Sequence, residues 1–212
     1  MLSTRLPGKV LKPINGISVL DYLITRIKNV SYIDEYWIAT STNKADDIIE
    51  ESYNSIINVF RGDEEDVLSR FYDLANMTKA KTIIRITADC PFADPSIISK
   101  AIRLFNIKKV DYLSNVIERT YPDGLDVEIF TFDALKMAHE KCNISFMREH
   151  VTPFMKTNHY KNYKSGNFKI YNFKNEIDFS HLRWTLDTEE DYTFINKISE
   201  KLDINFHWME AI

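Results

Sequence analysis

The feature that most limits the possible folds of this chain is the alternation of short buried strands with amphipathic helices over residues 18–115. Apolar residues at helical spacing predict helices over 18–29, 45–55, 66–77 and 95–105. Short apolar runs predict strands over 35–40, 57–61, 81–87 and 110–115. Strands that alternate with helices in this way form a mostly parallel sheet with helices on both faces, so the sequence predicts the α/β class.

The alternation changes after residue 115. A loop at 121–124 precedes a predicted strand over 125–131 and helices over 132–141 and 146–158. A strand over 168–173 and a last helix over 189–201 complete the pattern. We therefore expect one domain over residues 1–212, with residues 116–175 as an excursion within it.

Composition excludes several classes of protein. The net charge of −4 argues against a dedicated nucleic-acid binder, which usually has a basic excess. No apolar run approaches the ~20 residues that a membrane span needs, and the first fifteen residues lack the apolar stretch of a signal peptide. Two cysteines cannot form a disulfide framework, so we expect a reducing, cytoplasmic location.

Two acidic residues and one basic turn are the candidates for chemistry. Asp89 follows a predicted strand, where open α/β sheets bind ligands, and can either hold a divalent cation or form a turn. Asp187 can hold the same cation or begin the last helix. The segment 3–9 offers Arg5 and Lys9 as phosphate ligands, or it is a solvated terminal segment with ordinary surface cations.

Six segments in order resemble a known superfamily. They are STRLPGK (3–9), RGDEEDVLSR (61–70), RITADCP (85–91), YPDGLDVE (121–128), REHVTP (148–153) and RWTLDT (183–188). This pattern resembles the cytidylyltransferases that make CMP-activated sugar acids, such as CMP-Kdo synthetase and acylneuraminate cytidylyltransferase. Within that superfamily it is more similar to the branch of spore coat polysaccharide biosynthesis protein F. The resemblance covers nearly the whole chain.

The resemblance implies a Rossmann-like fold of the nucleotide-diphospho-sugar transferase type and roles for specific residues. Asp89 and Asp187 resemble the pair that binds Mg2+, and Lys9 acts with them in catalysis. The nucleotide-binding residues it implies are Ser3, Thr4, Arg5, Lys9, Asp66, Arg70 and Asp89. The acceptor-binding residues it implies are Tyr121, Asp123, Asp126, Glu128, Arg148, Glu149 and His150. It also implies a homodimer built partly by residues 116–175.

The implied reaction transfers CMP from CTP to a sugar or sugar acid, with pyrophosphate as the leaving group, in surface polysaccharide synthesis. Such a transfer depends on positioning and on charge neutralisation around the α-phosphate. His150 is either a helper in deprotonating the acceptor or a structural histidine. Three carboxylates lie close together in sequence at Asp123, Asp126 and Glu128, which would repel an anionic acceptor. They favour a cationic, amino-bearing or metal-bridged acceptor, or else they face elsewhere.

The chain departs from the superfamily pattern at its start. In relatives, a buried central strand precedes the loop that carries the first motif, whereas here the sequence starts inside that loop. We therefore expect the first central strand to be missing, with Met1 internal to a longer protein or the gene copy truncated. Unpaired buried backbone groups are costly, so a chain that truly begins here is expected to be poorly stable and weakly active.

Three functions remain open at this stage. The first is a CTP-dependent, Mg2+-dependent enzyme that acts on a sugar or sugar acid. The second is a nucleotidyltransferase with another base or with a sugar-phosphate acceptor. The third is a binding protein on the same fold that has lost catalysis, since a fold does not determine a function.

Overall fold

A computed structural model describes residues 5–156 and 168–212 of the chain and confirms the α/β class. Ser3 and Thr4 lie outside the described residues. The helices are α1 (Val19–Ile27), α2 (Asp47–Tyr53), α3 (Val67–Thr78), α4 (Pro95–Lys108), α5 (Phe132–Lys141), α6 (Ser145–Glu149) and α7 (Glu189–Ser199). The strands are β1 (Pro13–Ile14), β2 (Ile17–Ser18), β3 (Trp37–Ser41), β4 (Asn58–Gly62), β5 (Thr82–Arg85), β6 (Tyr112–Ser114), β7 (Glu128–Thr131) and β8 (Ile170–Asn172).

Side-chain caps set the predicted starts of two helices. The carboxylate of Asp66 accepts a hydrogen bond from the backbone N–H of Ser69 at the start of α3. The carboxylate of Asp94 accepts from the backbone of Ser96 and Ile97, and Pro95 occupies the first turn of α4. Both caps satisfy backbone donors that a helix leaves free at its N-terminus.

The prediction of one helix over 146–158 is wrong, because α6 ends at Glu149. Val151 has a positive φ of 68°, in the left-handed region that a helix cannot include. Thr152 precedes Pro153, and a residue before proline is disfavoured in the helical region. The chain therefore turns after α6, which leaves His150 at the end of the helix.

The four-stranded sheet has the order β5-β7-β6-β8. The pairs β6–β8 and β3–β4 are parallel as expected, whereas β7 is antiparallel to both β5 and β6, so this sheet is mixed. The reason is the connection: residues 115–127 join β6 to β7 without a helix, and a parallel pair needs a crossover. Among the described strands, β3 pairs only with β4, and β5 pairs only with β7. The expectation that a central strand is missing before the first motif stays a prediction.

Helices cover both faces of the four-stranded sheet. Adjacent residues of a strand point to opposite faces, and here they belong to different core clusters. Leu113 and Ile129 pack with residues of α1, α4 and α7, whereas Tyr112 and Phe130 pack with residues of α3, α5 and α6. None of the helices within residues 5–156 and 168–212 is long and apolar enough to span a membrane.

One buried cation fastens the C-terminal segment to the body of the fold. Arg26 on α1 has no exposed surface, and its guanidinium donates to the backbone carbonyls of Phe92, Ala93, Ile204 and Phe206. A buried carbonyl without a donor is costly, so this one side chain satisfies groups from two distant segments.

We expect Arg26→Met to destabilise the fold by about 3 kcal/mol, because it leaves several buried carbonyls without donors. Urea unfolding measures this loss, with Arg103→Met on the exposed face of α4 as the matched control. An unchanged midpoint in Arg26→Met would contradict this assignment.

Candidate active site

A tight turn presents Lys9 to the interior. Pro7 and Gly8 form the middle of a turn in which the Lys9 N–H donates to the Leu6 carbonyl over 3.2 Å. Gly8 has a φ of 65°, which glycine adopts without strain. Leu6 is buried and anchors the turn, and Lys9 begins a short 3-10 helix that ends at Leu11.

Backbone hydrogen bonding brings Asp89 and Asp187 together although 97 residues separate them. The Leu186 N–H donates to the Asp89 carbonyl over 2.8 Å, which fastens the loop after β5 to the segment before α7. Thr188 caps α7, so Asp187 lies directly before a fixed helix start. The structure thus brings the two predicted acids together, and their role as metal ligands stays a prediction.

The ammonium group of Lys9 lies between the two carboxylates. Lys9 Nζ donates to Asp89 Oδ2 over 2.8 Å and to Asp187 Oδ1 over 2.9 Å. Arg5 adds a longer ion pair of 3.4 Å to Asp187. Three of the residues predicted from separate motifs therefore meet at one nitrogen atom.

These contacts shift the pKa values of both partners toward their charged forms. Burial alone would raise the pKa of Asp187, but hydrogen bonds from Lys9 and Arg183 outweigh it and lower that pKa. Burial alone would lower the pKa of Lys9, but the two carboxylates outweigh it and raise that pKa. Lys9 and Asp187 are thus both charged at neutral pH.

The cluster carries more negative than positive charge. Arg183 contacts Asp187, Asp123 and Asp191, and Arg119 contacts Asp123 and Asp126. The carboxylates joined in this way are Asp89, Asp123, Asp126, Asp187 and Asp191, and the cations are Arg5, Lys9, Arg119 and Arg183. Five acids against four cations leave one unbalanced negative charge.

This donor set fits a magnesium ion that is shared with a ligand. Asp89 and Asp187 both contact the ammonium group of Lys9. Mg2+ usually takes one or two carboxylates plus substrate phosphates. Within the described parts of the chain, no group of three or more His, Cys, Asp or Glu side chains is arranged to hold a metal ion. A metal at this pair therefore depends on oxygen atoms from a ligand and from water.

An open cleft of about 310 Å3 shares Arg119 and Asp126 with the cluster. The lining of this cleft includes an ion network around the buried residue Glu128. Glu128 is 4% exposed. Its carboxylate accepts from Arg85 over 2.6 Å, Lys156 over 2.6 Å, Tyr112 over 2.6 Å and Thr152 over 2.7 Å. Burial would raise the pKa of Glu128, but Lys156 and Arg85 lower it to about 2.

The other predicted acids of this region are also paired. Arg119 holds Asp126 through both of its terminal nitrogens, and Arg183 donates to Asp123 over 2.9 Å. Burial, in spite of Arg119, raises the pKa of Asp123. Asp126, Arg119 and His150 line the cleft together with the Glu128 network. The acids that looked unpaired in sequence have cationic partners from other segments.

Several predicted residues are not brought to the cleft. Arg148 donates to Asp66 over 2.7 and 2.9 Å, so this pair joins α6 to the start of α3. Tyr121 is 2% exposed and packs in the core against Phe173 and Trp208. Glu149 is exposed at the end of α6.

Arg70 lies under the loop that joins β4 to α3. Its hydrogen bonds are to residues outside the Lys9 cluster. It is 9% exposed, and its guanidinium reaches the carbonyl of Ala39 over 3.3 Å. Its Nε atom has no hydrogen-bond partner among the described residues. Burial lowers its pKa. An incompletely paired buried cation is costly and is compatible with a ligand that supplies the missing acceptor.

Sequence reasoning missed four cations: Arg85, Arg119, Lys156 and Arg183. Arg85 and Arg183 belong to the quoted motifs RITADCP and RWTLDT, so their motif positions were an available signal. Arg119 and Lys156 lie outside the quoted motifs, and only the folded chain brings them to the acids.

Comparison with known proteins decides the family. A family model described as cytidylyltransferase matches residues 1–207. The chain belongs to the cytidylyltransferase family. It is 32% identical over 212 residues to the spore coat polysaccharide biosynthesis protein SpsF of Bacillus subtilis, covering 95% of this chain and 83% of that protein. It is 34% identical over 208 residues to a protein of Methanocaldococcus jannaschii, covering 95% and 81% respectively.

This cytidylyltransferase family member shares its fold with proteins of known structure. A cytidylyltransferase from Leptospira borgpetersenii superposes with a TM-score of 0.90 at 31% identity, covering 99% of this chain and 87% of that one. A CMP:2-keto-3-deoxy-manno-octonic acid synthetase complexed with CTP superposes with a TM-score of 0.68 at 14% identity, covering 94% and 95%. The second likeness supports the Rossmann-like nucleotidyltransferase fold alone.

We expect Glu128→Gln to destabilise the protein by about 3 kcal/mol at pH 7, because Arg85 and Lys156 lose a buried counter-charge. The native pKa of about 2 lies below the ordinary 4.5, so the ionised carboxylate stabilises fully above pH 4.5 and loses this effect as pH falls through about 2. The difference between wild type and variant should therefore shrink in that window.

Urea unfolding of both proteins at pH 7 and near pH 2 measures this difference, with the exposed Glu149→Gln as control. A difference that stays constant with pH would show that the charge of Glu128 is not what stabilises the network.

Proposed function

We propose that this cytidylyltransferase family member transfers CMP from CTP to a sugar acid, with release of pyrophosphate and with Mg2+ at Asp89 and Asp187. The observation that carries this proposal is the contact of one lysine with both carboxylates, beside a basic turn. The matched relatives include 3-deoxy-manno-octulosonate cytidylyltransferases, one of which is 28% identical over 101 residues, or 48% of this chain. A role in surface polysaccharide synthesis follows from the SpsF relative.

The nucleotide end of the site is the Lys9 cluster. The triphosphate brings negative charge to Arg5 and Lys9, which are donors suited to phosphate oxygens. Mg2+ held by Asp89 and Asp187 would neutralise phosphate charge and polarise the reacting phosphoryl group. The unbalanced negative charge of the cluster is the reason that a cation must accompany the nucleotide.

The proposed acceptor end of the site is the cleft that Glu128 lines. Its charged side chains are Arg85, Arg119, Lys156, Asp126 and Glu128. Three cations against two carboxylates leave a single positive charge, which suits an acceptor with one carboxylate. This balance favours a sugar acid over a cationic acceptor and over a doubly charged sugar phosphate.

The reaction forms a bond between an acceptor hydroxyl oxygen and the α-phosphorus of CTP, and it breaks the bond from that phosphorus to the bridging oxygen of the pyrophosphate. Lys9 and Arg5 hold the leaving group, because charge builds on it as the bond breaks. The hydroxyl proton needs an acceptor, and His150 in the cleft is the candidate. A homodimer is part of the same proposal.

The direct test is a pyrophosphate-release assay with CTP, Mg2+ and a panel of 3-deoxy-manno-octulosonate, N-acetylneuraminate, a neutral hexose and a sugar 1-phosphate. We expect release with a sugar acid and CTP, and a thermal shift that is larger with CTP than with other nucleoside triphosphates. Release only with the sugar 1-phosphate, or with another nucleotide, would replace this function by another nucleotidyl transfer. No nucleotide-dependent shift and no release would favour a binding protein.

We expect Asp89→Asn and Asp187→Asn each to lower kcat by at least ~100-fold, as removal of one charge-stabilising group at a reacting centre typically does. The conservative change keeps the size of the side chain, and Asp73→Asn on the exposed face of α3 is the matched control. Turnover near that of the control in either variant would remove the proposed metal pair.

We expect Lys9→Met to weaken CTP binding by at least ~10-fold, since it removes a charge-assisted phosphate contact worth more than ~1.4 kcal/mol. Isothermal titration with CTP and Mg2+ measures this affinity, and Lys197→Met on the exposed face of α7 controls for the loss of a positive charge. Equal affinities in the two variants would mean that Lys9 pairs with the aspartates only.

A further inference from the structure

Arg183 joins three carboxylates that belong to different parts of the site. Its Nη2 donates to Asp187 Oδ2 over 2.8 Å, its Nη1 donates to Asp123 Oδ2 over 2.9 Å, and its Nε donates to Asp191 Oδ1 over 3.2 Å. A planar guanidinium directs these donors at fixed angles, which an ammonium group does not. The position of one side chain thus fixes the relative positions of three acids.

At Asp187, Arg183 and Lys9 bind different oxygens. Lys9 takes Oδ1 and Arg183 takes Oδ2. A carboxylate held at both oxygens by separate donors cannot rotate without breaking one of these bonds. Arg183 therefore fixes the plane of the Asp187 carboxylate, with one oxygen directed at Lys9 and the proposed cation position.

Asp191 gives Arg183 a rigid base. Its Oδ2 accepts from the backbone N–H groups of Asp187 and Thr188 over 2.9 and 3.0 Å, at the start of α7. The same carboxylate contacts Arg183. The arginine is therefore anchored on a helix N-terminus, and its other two contacts extend from there.

At Asp123, Arg183 reaches the loop that leads into the cleft. The two backbones are also in direct contact, since Asp123 N–H donates to the Leu182 carbonyl over 2.9 Å and Trp184 N–H donates to the Asp123 carbonyl over 2.6 Å. Gly124 has a φ of 109°, and a Cβ there would lie 2.6 Å from the Trp184 backbone. Asp123 in turn contacts Arg119, which holds Asp126 in the cleft.

We propose that Arg183 is a positioning residue that orients Asp187 toward Lys9 and couples it to the acceptor-side loop 121–126. This inference rests on the proposed function, and it assigns to Arg183 no contact with substrate. It predicts that one substitution disturbs cation binding at Asp187 and the order of loop 121–126 together, although Asp123 lies in that loop and Asp187 lies before α7.

The exposure of Arg183 separates this role from a purely structural one. Its side chain is 44% exposed, and ion pairs at exposed positions contribute little to the free energy of unfolding. A large change in cation binding without a large change in melting temperature would thus point to positioning rather than to loss of the fold.

The experiment compares wild type, Arg183→Gln, Arg183→Lys and the exposed control Arg103→Gln. Electron paramagnetic resonance measures the dissociation constant of Mn2+, used as a probe for Mg2+, in the presence of saturating CTP. Hydrogen exchange with mass spectrometry measures the protection of the peptide over 121–126 in the absence of ligand. Thermal melting reports the integrity of each variant.

We expect Arg183→Gln to raise the Mn2+ dissociation constant at least tenfold and to speed exchange over 121–126 at least tenfold, with a melting temperature within a few degrees of the control. Arg183→Lys, which keeps the charge but has a single donor group, should recover only part of the Mn2+ affinity and none of the protection. Full recovery of both by lysine would overturn the coupling, since charge alone would then suffice.

The failures of the two proposals can be told apart. If wild type binds neither CTP nor Mn2+, the proposed function fails, and the exchange measurement alone decides whether Arg183 holds the loop. If wild type binds both and Arg183→Gln matches the control in Mn2+ affinity and in exchange, the role of Arg183 is refuted while the proposed function stands.

Discussion

The arrangement of the nucleotide end depends on the ammonium group of Lys9 between Asp89 and Asp187. The hydrogen bond from Leu186 to the Asp89 carbonyl brings the two aspartates together. The partly buried carboxylates of Asp89 and Asp187 both lie within 2.9 Å of the Lys9 nitrogen atom. They repel each other, so the fold requires a cation between them. The protein supplies this cation itself, from a turn whose shape depends on Gly8. A nucleotide with a divalent cation would offer the aspartates a second counter-ion and would offer Lys9 a second set of oxygens.

The two ends of the candidate site have opposite charge balances, and the ligands proposed for them differ accordingly. The aspartate cluster holds one more acid than cation, which suits a metal-bound triphosphate. The cleft holds one more cation than acid, which suits a single carboxylate. Ion pairs of Arg119 with Asp123 and Asp126 link the two ends. A change in the charge of one end therefore alters the electrostatic potential at the other.

The fold was predictable where its determinants are local. The starts of α3 and α4 follow from Asp66, Asp94 and Pro95, whose side chains act within three residues. The predicted helix over 146–158 failed because apolar spacing continues through Val151, whereas the backbone there has a positive φ and Pro153 follows. The antiparallel placement of β7 was not readable from periodicity either, because strand direction depends on the connection rather than on the strand.

The charge of the site was not predictable from the sequence, because it depends on pairs between distant segments. Counting acids over 121–128 favoured a cationic, amino-bearing or metal-bridged acceptor, or else acids that face elsewhere, since no cation lies within that segment to balance them. The fold supplies cations that this count lacked: Arg85 lies opposite Glu128 in the β5–β7 register, and Lys156 contacts the same carboxylate from the segment after α6. Once β5 and β7 are known to pair, the Arg85–Glu128 contact follows from strand geometry. Lys156 and Arg183 require the full tertiary structure, because loops and helix ends position them. Identifying the acids therefore located the candidate site, and only the partners of these acids gave its charge balance.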